Sequence, residues 1–264
     1  MKAISYSLFE SPSAGPLEKA AYVRGFYWNS RMNRLIYPDS HWRTVLHLEH
    51  PIYIEFQRLF DWLVDNNNLI LNVTNQKPAL CEGMFWRMKP IFGLYTHVLC
   101  RDSDAVTTYR EAQAVQRWLE SGLACHSIND NPAHSGMMGG MVGFNTAQFK
   151  ALLGVHSYED LIQGYDLSQR GSDQNLMNQR IFPKLQWSMM AHNTSNLPDL
   201  EGKNYPPLPL VEEKYWQSNL TCRHIGSAGV VDMEMVRFFR NCDIFNWKFE
   251  VIEKEFPKLF HWWL

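Results

Sequence analysis

Apolar and polar residues alternate from Lys2 to Phe9, KAISYSLF, and the β-branched and aromatic residues there predict a strand. Gly15-Pro16 interrupts the run. From Leu17 to about Met32 the apolar residues recur at helical spacing, through Ala21, Val23 and Tyr27. A short run at 44–48 predicts a buried strand. Pro51 then opens a predicted helix over IYIEFQRLFDWLVDN, with Ile54, Leu59, Trp62 and Leu63 near one face. Residues 69–73 and 95–100 predict two more strands, and the second runs straight into Arg101-Asp102-Ser103-Asp104. A helix is predicted over 107–121, with Tyr109, Ala112, Val115, Trp118 and Leu119 on its inner side.

Strands alternating with helices in this way imply an α/β fold with a mainly parallel sheet flanked by helices. Ligands of such sheets bind outside the carboxyl ends of the strands. Beyond residue 125 the pattern loosens. Helices are expected over about 147–153, 157–163 and 173–181, and QWSMMA at 186–191 reads as a late strand. The segment NLPDLEGKNYPPLPL, with four prolines, reads as a surface loop or lid. The last 30 residues are aromatic and helical in character. The chain shows no internal repeat and no sharp boundary.

Composition narrows the function classes. Hydrophobic residues make up 45% and charged residues 20%, enough for an ordinary core. Lys and Arg total 25 against 27 Asp and Glu, a net charge of −2, so there is no basic excess to hold a polyanion by counterion release. A local basic groove stays open. The 10 Trp suit either a bulky core, the default for large aromatics, or stacking surfaces for sugars and bases. Five cysteines without a CxxC pair suggest neither a zinc ribbon nor a disulfide framework, and fit reduced thiols in the cytoplasm. The N-terminal stretch lacks the apolar region of a secretion signal, and no run of 18 apolar residues predicts a membrane span. The sequons at Asn72, Asn193 and Asn219 are therefore read as chance matches.

Several residues have chemistry to offer. Asp102 and Asp104 follow a buried strand where the chain leaves the sheet, so both reach one cavity. A hard Mg²⁺ or Mn²⁺ needs only a few protein oxygens when a diphosphate supplies the rest. The same pair is equally at home on a solvated loop. Arg87 and Arg101 carry guanidinium forks that suit phosphate oxygens, or a structural ion pair. Arg110 is placed to steady the aspartates, and Glu111 suits a helix N-terminus. Asp130 and His134 flank the turn INDNPAH, as polar contacts for hydroxyls or as a plain Asx turn. The glycines of GGMVG, with Gly139 and Gly140 leading, are costly inside an apolar strand and make sense where backbone approaches a ligand. In Gly171-Ser172-Asp173-Gln174, Ser172 or Asp173 is the default helix cap. Asp173 beside Gln174 also suits sugar hydroxyls or a general base. His192 and His224 are offered as nitrogen ligands to the metal, against a structural role. The glycines of 226–229 are a weak amide cradle.

Together, AISYSLF, RGFYWNSRMNRLIYPD, FWRMKPIF, VLCRDSDAVTTYREAQAVQRWLESG, HSINDNPAHSGMMGGMVGF and GSDQNLMNQRIFP, in that order across residues 2–192, resemble the GT-A-fold nucleotide-sugar-dependent glycosyltransferases of bacteria, phages and large viruses. The resemblance implies a GT-A core over 1–195 and a C-terminal segment over 196–264, packed on the same domain and serving the acceptor. It implies that Asp102 and Asp104 are the D-x-D metal and diphosphate motif, with Ser5, Ser7 and Tyr37 near the nucleotide. It sets the Gly139-Gly140 strand under the sugar, and Asp130, His134 and Asp173 at the donor-sugar or acceptor side. The chain departs from the family where Asn129 holds an arginine position and where a tryptophan commonly stands near Val142. The expected activity is metal-dependent hexosyl or pentosyl transfer from a nucleoside diphosphate sugar, UDP-linked, to a hydroxyl. Asp173 is preferred to Asp130 as general base. The near-neutral charge favours a glycan acceptor over a hydroxymethylated base of viral DNA, in host cytoplasm if the chain is viral. A metal-dependent phosphohydrolase and a non-catalytic sugar-binding protein are the rival readings.

Overall fold

Among the described residues seven strands form one sheet: β1 (Lys2–Leu8), β2 (Trp42–Glu49), β3 (Leu69–Thr74), β4 (His97–Arg101), β5 (Cys125–Asn129), β6 (Met141–Asn145) and β7 (Met189–Asn193). Their order is β3-β2-β1-β4-β6-β5-β7. All neighbours are parallel except at β6, which runs antiparallel to both β4 and β5. The chain therefore has the α/β fold that its alternation of elements predicts, a mostly parallel sheet flanked by helices. This computed structural model describes residues 1–10, 16–38, 41–75, 78–105, 107–129, 136–193 and 251–260.

Alternate residues of the strands serve opposite faces. On one face Ile4, Tyr6, Leu8, Leu46 and Leu48 pack with α1 (Pro16–Ile36), α3 (Gln57–Asn67) and α4 (Tyr109–Ser121), through Phe26, Leu59 and Trp118. On the other, Ala3, Val45, Val98 and Cys100 meet a 3₁₀ segment (Glu82–Phe92) and α5 (Thr146–Leu153), through Phe85, Trp86 and Phe149. Trp28, Trp86 and Trp118 are fully buried, so for these three the bulky-core reading holds. Residues 251–260 form two short helices whose Ile252, Leu259 and Phe260 join the first face. The Phe260 ring lies 4.7 Å from that of Tyr27.

The structure corrects several elements. The helix expected across 52–66 is two, α2 (His50–Glu55) and α3, separated at Phe56, where φ −121° and ψ 28° leave helical geometry. The ring of Phe56 is buried against Phe256. CHSIN, too polar to read as a strand, is β5, and all five residues are buried. Gly139 and Gly140 lie in the turn before β6, which contains only Gly143 of the three glycines. The late strand begins at Met189, because 186–188 form a 3₁₀ turn with Trp187 76% exposed. The proline-rich 196–210, the glycines at 226–229, His224, Asp130 and His134 lie outside the described residues.

Candidate active site

The carboxyl end of β4 is the busiest corner of the sheet. Register pairs Ser5 with Cys100, so two residues further on Ser7 stands level with Asp102. The chain leaves β4 after Arg101 and turns through Asp102, Ser103 and Asp104. Two residues of α1 hold that turn. Gly25 lies against it so closely that a Cβ would overlap the Ser103 carbonyl. Four residues along, Asn29 Nδ2 donates to the carbonyls of Ser103 (3.0 Å) and Ala105 (2.9 Å), while its Oδ1 accepts from the Thr107 amide (2.9 Å). Neither was singled out from sequence. Both lie in the RGFYWN block, and a glycine four residues before an asparagine inside a long helix was the available signal.

Beneath the turn, the 3₁₀ segment brings in Arg87, itself buried. Its Nη1 donates to Asp102 Oδ1 and its Nη2 to Asp173 Oδ2 at 2.8 Å. Burial works against the charge of Arg87, but the two carboxylates outweigh it and hold the guanidinium above its ordinary value. Its Nε is buried without a partner. The side chain of Asp102 is 46% exposed and that of Asp173 only 5%. The turn before β6 closes over this bridge. A Cβ on Gly139 would stand 2.7 Å from Arg87 Nη2 and 3.1 Å from Asp173 Oδ2, and one on Gly140 would overlap the Asp102 carboxylate. Only glycine admits both approaches. The turn is tied from the far side: Gln174 accepts from the Gly139 amide at 3.2 Å and donates to the Met137 carbonyl, and Asn178 accepts from the Met137 amide at 2.9 Å.

Asp173 and Gln174 sit on α7 (Ser172–Asn175), which continues into a π turn (Leu176–Ile181) and α8 (Phe182–Leu185). Gly171, at φ 82°, holds the N-cap position expected of Ser172 or Asp173. Freed from capping, Asp173 turns to Arg87. Thus Arg87, Asp102, Gly139, Gly140, Asp173 and Gln174, chosen on separate grounds along 88 residues of sequence, meet in one place.

Other candidates are placed differently. Arg101 is not beside Arg87 on the open side of the corner. Its Nε donates to Glu111 Oε1 at 2.6 Å and its Nη1 to the carbonyls of Cys100 (2.8 Å) and Val142 (2.7 Å), all buried. Glu111, read as a helix-dipole residue, is its counterion, while Thr108 caps α4 by accepting from the Glu111 amide. Ser5 is fully buried, and among the described residues its hydroxyl has no partner. Tyr37 is buried against Trp42, with ring centroids 4.8 Å apart, and burial raises its phenol pKa. Ser7 is half-buried.

His192, offered as a nitrogen ligand to the metal, is placed in the core. It lies on β7, and β5 and β6 separate that strand from β4. Its Nδ1 is 2.9 Å from Nε2 of His126, also buried, whose ring stacks on Trp118. Burial, with Arg117 adding to it, lowers the His192 pKa to about 4; burial, with His192 and Arg101 adding, drives His126 down as well. Among the described residues no group of three or more His, Cys, Asp or Glu is placed to hold a metal ion. Asp102 and Asp104, two carboxylates of one turn, fit Mg²⁺ or Mn²⁺ as a site shared with phosphate and water oxygens rather than as a closed cage. Among the described residues, no helix is long and apolar enough to cross a membrane.

No protein-family model matches the chain, and no curated protein matches it. Solved structures with a similar fold include a mannosyltransferase from Pyrobaculum calidifontis in complex with GDP-Man and Mn²⁺, at 11% identity and TM-score 0.46, over 77% of this chain and 58% of that one. The glycosyltransferase GlyE of Streptococcus pneumoniae aligns at 16% identity and TM-score 0.44, over 72% and 45%. Residues 1–349 of S. aureus TarS align at 10% identity and TM-score 0.46, over 96% and 76%. The chain thus spans a little over half of the first structure and under half of the second.

Proposed function

We propose that the chain is a glycosyltransferase that moves a sugar from a nucleoside diphosphate sugar, UDP-linked, to a hydroxyl acceptor, a glycan in preference to a modified DNA base. The observation that carries the reading is the meeting of Asp102, Arg87, Asp173 and the Gly139-Gly140 backbone at the carboxyl end of β4. A parallel α/β sheet presents ligand sites there, and the donor set suits a diphosphate joined to a polyhydroxyl ring. Asp102 and Asp104 are the residues to hold Mn²⁺ or Mg²⁺ with the diphosphate, and such a cation supplies Lewis-acid stabilisation to phosphate oxygens.

The remaining roles belong to the chain itself. Arg87 bridges Asp102 and Asp173, so it fixes the distance from the leaving group's side of the site to the sugar's. Asp173 accepts from Arg87 through Oδ2, which leaves its second carboxylate oxygen, Oδ1, outside that ion pair. That oxygen is the acceptor for a hydroxyl of donor sugar or attacking glycan. In an inverting transfer the hydroxyl oxygen bonds to the anomeric carbon, its proton passes to Asp173, and the carbon–phosphate-oxygen bond breaks. The glycines let the sugar lie against backbone, and Gln174 keeps their turn in place. Ser7, level with Asp102, is the nearer of the two β1 serines to the nucleotide.

A thermal-shift screen of nucleotide sugars with and without Mn²⁺ tests this directly. The true donor class raises the melting temperature by mass action, and Asp104→Ala removes the metal-dependent part. A flat response across all donors sinks the proposal.

A further inference from the structure

Across α7 and the π turn from Asp173 lies an open cleft of about 660 Å³, within the range of small-molecule sites. The helix has two polar faces. Asp173, Gln174 and Asn178 serve the corner at β4. Ser172, Asn175 and Gln179, one turn apart on the other side, line the cleft. Opposite them stand Gln163 and Tyr165, from the stretch after α6 (Tyr158–Ile162).

The chemistry of the lining selects a ligand class. The amides of Gln163, Asn175 and Gln179 are exposed, and among the described residues their side chains make no hydrogen bond. Each amide offers donors and acceptors together, as sugar hydroxyls do. The charged groups cancel and are already engaged. Asp166 accepts from the Ser168 amide (2.9 Å) and hydroxyl (2.6 Å), and Arg180 donates to the Leu161 carbonyl at 2.8 Å. A phosphate would find one cation, Arg180, and with it the carboxylate of Asp166 in the same lining. Half-buried Tyr165 adds an aromatic face for the apolar side of a sugar ring. The wall is also the π turn, a geometry that recurs at functional sites.

We infer that this cleft binds a neutral saccharide, as a subsite for a glycan chain outside the transfer site. Its service to the acceptor rests on the transferase reading, but binding itself does not. The test is saturation-transfer NMR on the full chain with maltotriose, cellotriose and chitotriose as probes. At least one should receive saturation, and should lose at least five-fold in affinity in Gln163→Ala and Gln179→Ala at unchanged melting temperature. UDP with Mn²⁺ should leave that signal in place. No transfer to any of the three, affinity unchanged from the parent in both variants, or displacement by UDP overturns the inference. Saccharide binding that survives in a chain to which no nucleotide sugar binds would keep the cleft and remove the transferase.

Discussion

Arg87 and Arg101 are 14 positions apart, equally buried, and each is paired with a carboxylate, yet they do different work. Arg101 faces Glu111, whose side chain is 3% exposed, and its remaining bonds go to strand carbonyls. That contact joins β4, β6 and α4 and opens onto nothing. Arg87 has one sealed partner, Asp173, and one, Asp102, that reaches the surface at a strand end. An ion pair sealed on every side costs desolvation and returns geometry. A pair with one wet member can exchange that member for a ligand. The accessibility of the partner, rather than that of the arginine, separates the structural pin from the candidate site.

Removing the pin should have the largest effect. Arg101→Met strands Glu111 inside the protein, and breaking a buried pair costs about 3–5 kcal/mol. Urea denaturation should show a clear fall in midpoint, and Arg101→Met with Glu111→Leu should recover most of it. A midpoint within error of the parent would mean that the pair is not sealed. Arg87→Gln is the counterpart. Asp102 regains water and only Asp173 is stranded, so the midpoint should move less than in Arg101→Met. Transfer should fall by roughly 10²-fold or more, as when a preorganised charge is withdrawn from a reacting centre. If Arg101→Met instead kept its midpoint and lost turnover, the assignment of the two arginines would be reversed.

The fold was legible wherever local pattern and burial agreed. KAISYSLF alternates and is β1, and the amphipathic run after Thr107 is α4. It was illegible where polar residues are buried through contacts made by distant chain. CHSIN is an inner strand because it pairs with β6 and β7, and its buried His126 meets His192, 66 residues on; no local rule records those partners. The same limit applied to the arginines. Both look like phosphate forks in sequence, and only the placement of Glu111 over Arg101 tells them apart. Asp102 at a strand end, and Gly139 and Gly140 next to an apolar run, could be picked out by type and position; that they meet Arg87 and Asp173 could not, because those contacts join distant chain. Asn29 was not picked out, because an asparagine four residues after a glycine in a helix marks an exception to the helix without telling which loop it holds.

Two glycines probe the corner more gently. Gly25→Ala presses a methyl group onto the Ser103 carbonyl, which is backbone and cannot swing aside, so overpacking of about 1–3 kcal/mol is expected in the denaturation midpoint. Gly140→Ala presses on the end of the Asp102 side chain, which can rotate into solvent. Stability should therefore hold to within about 1 kcal/mol, while Asp102 leaves Arg87 and transfer drops. A Gly140→Ala variant with full turnover would show that the Asp102–Arg87 contact is dispensable.

The smallest effect concerns the buried contact that carries no charge. His126 and His192 are neutral in the fold, and burial lowers the pKa of both. An unfolded chain protonates the same rings near pH 6.5. Their share of stability is therefore complete above pH 6.5 and is lost as pH falls from there toward about 4, where folded His192 itself takes a proton. By pH 5.5 each ring should contribute about 1 kcal/mol of lost stability. Burial lowers His47, on β2, to about 3, with Lys89 adding to the shift, so it acts in the same direction and window. Arg87 and Arg101 stay charged throughout that range, so they add no slope of their own. Denaturation midpoints at pH 7.5, 6.5 and 5.5 should decline for the parent and decline less steeply for His192→Gln. An identical slope in that variant would mean that His192 is already protonated, or already hydrated, in the folded protein.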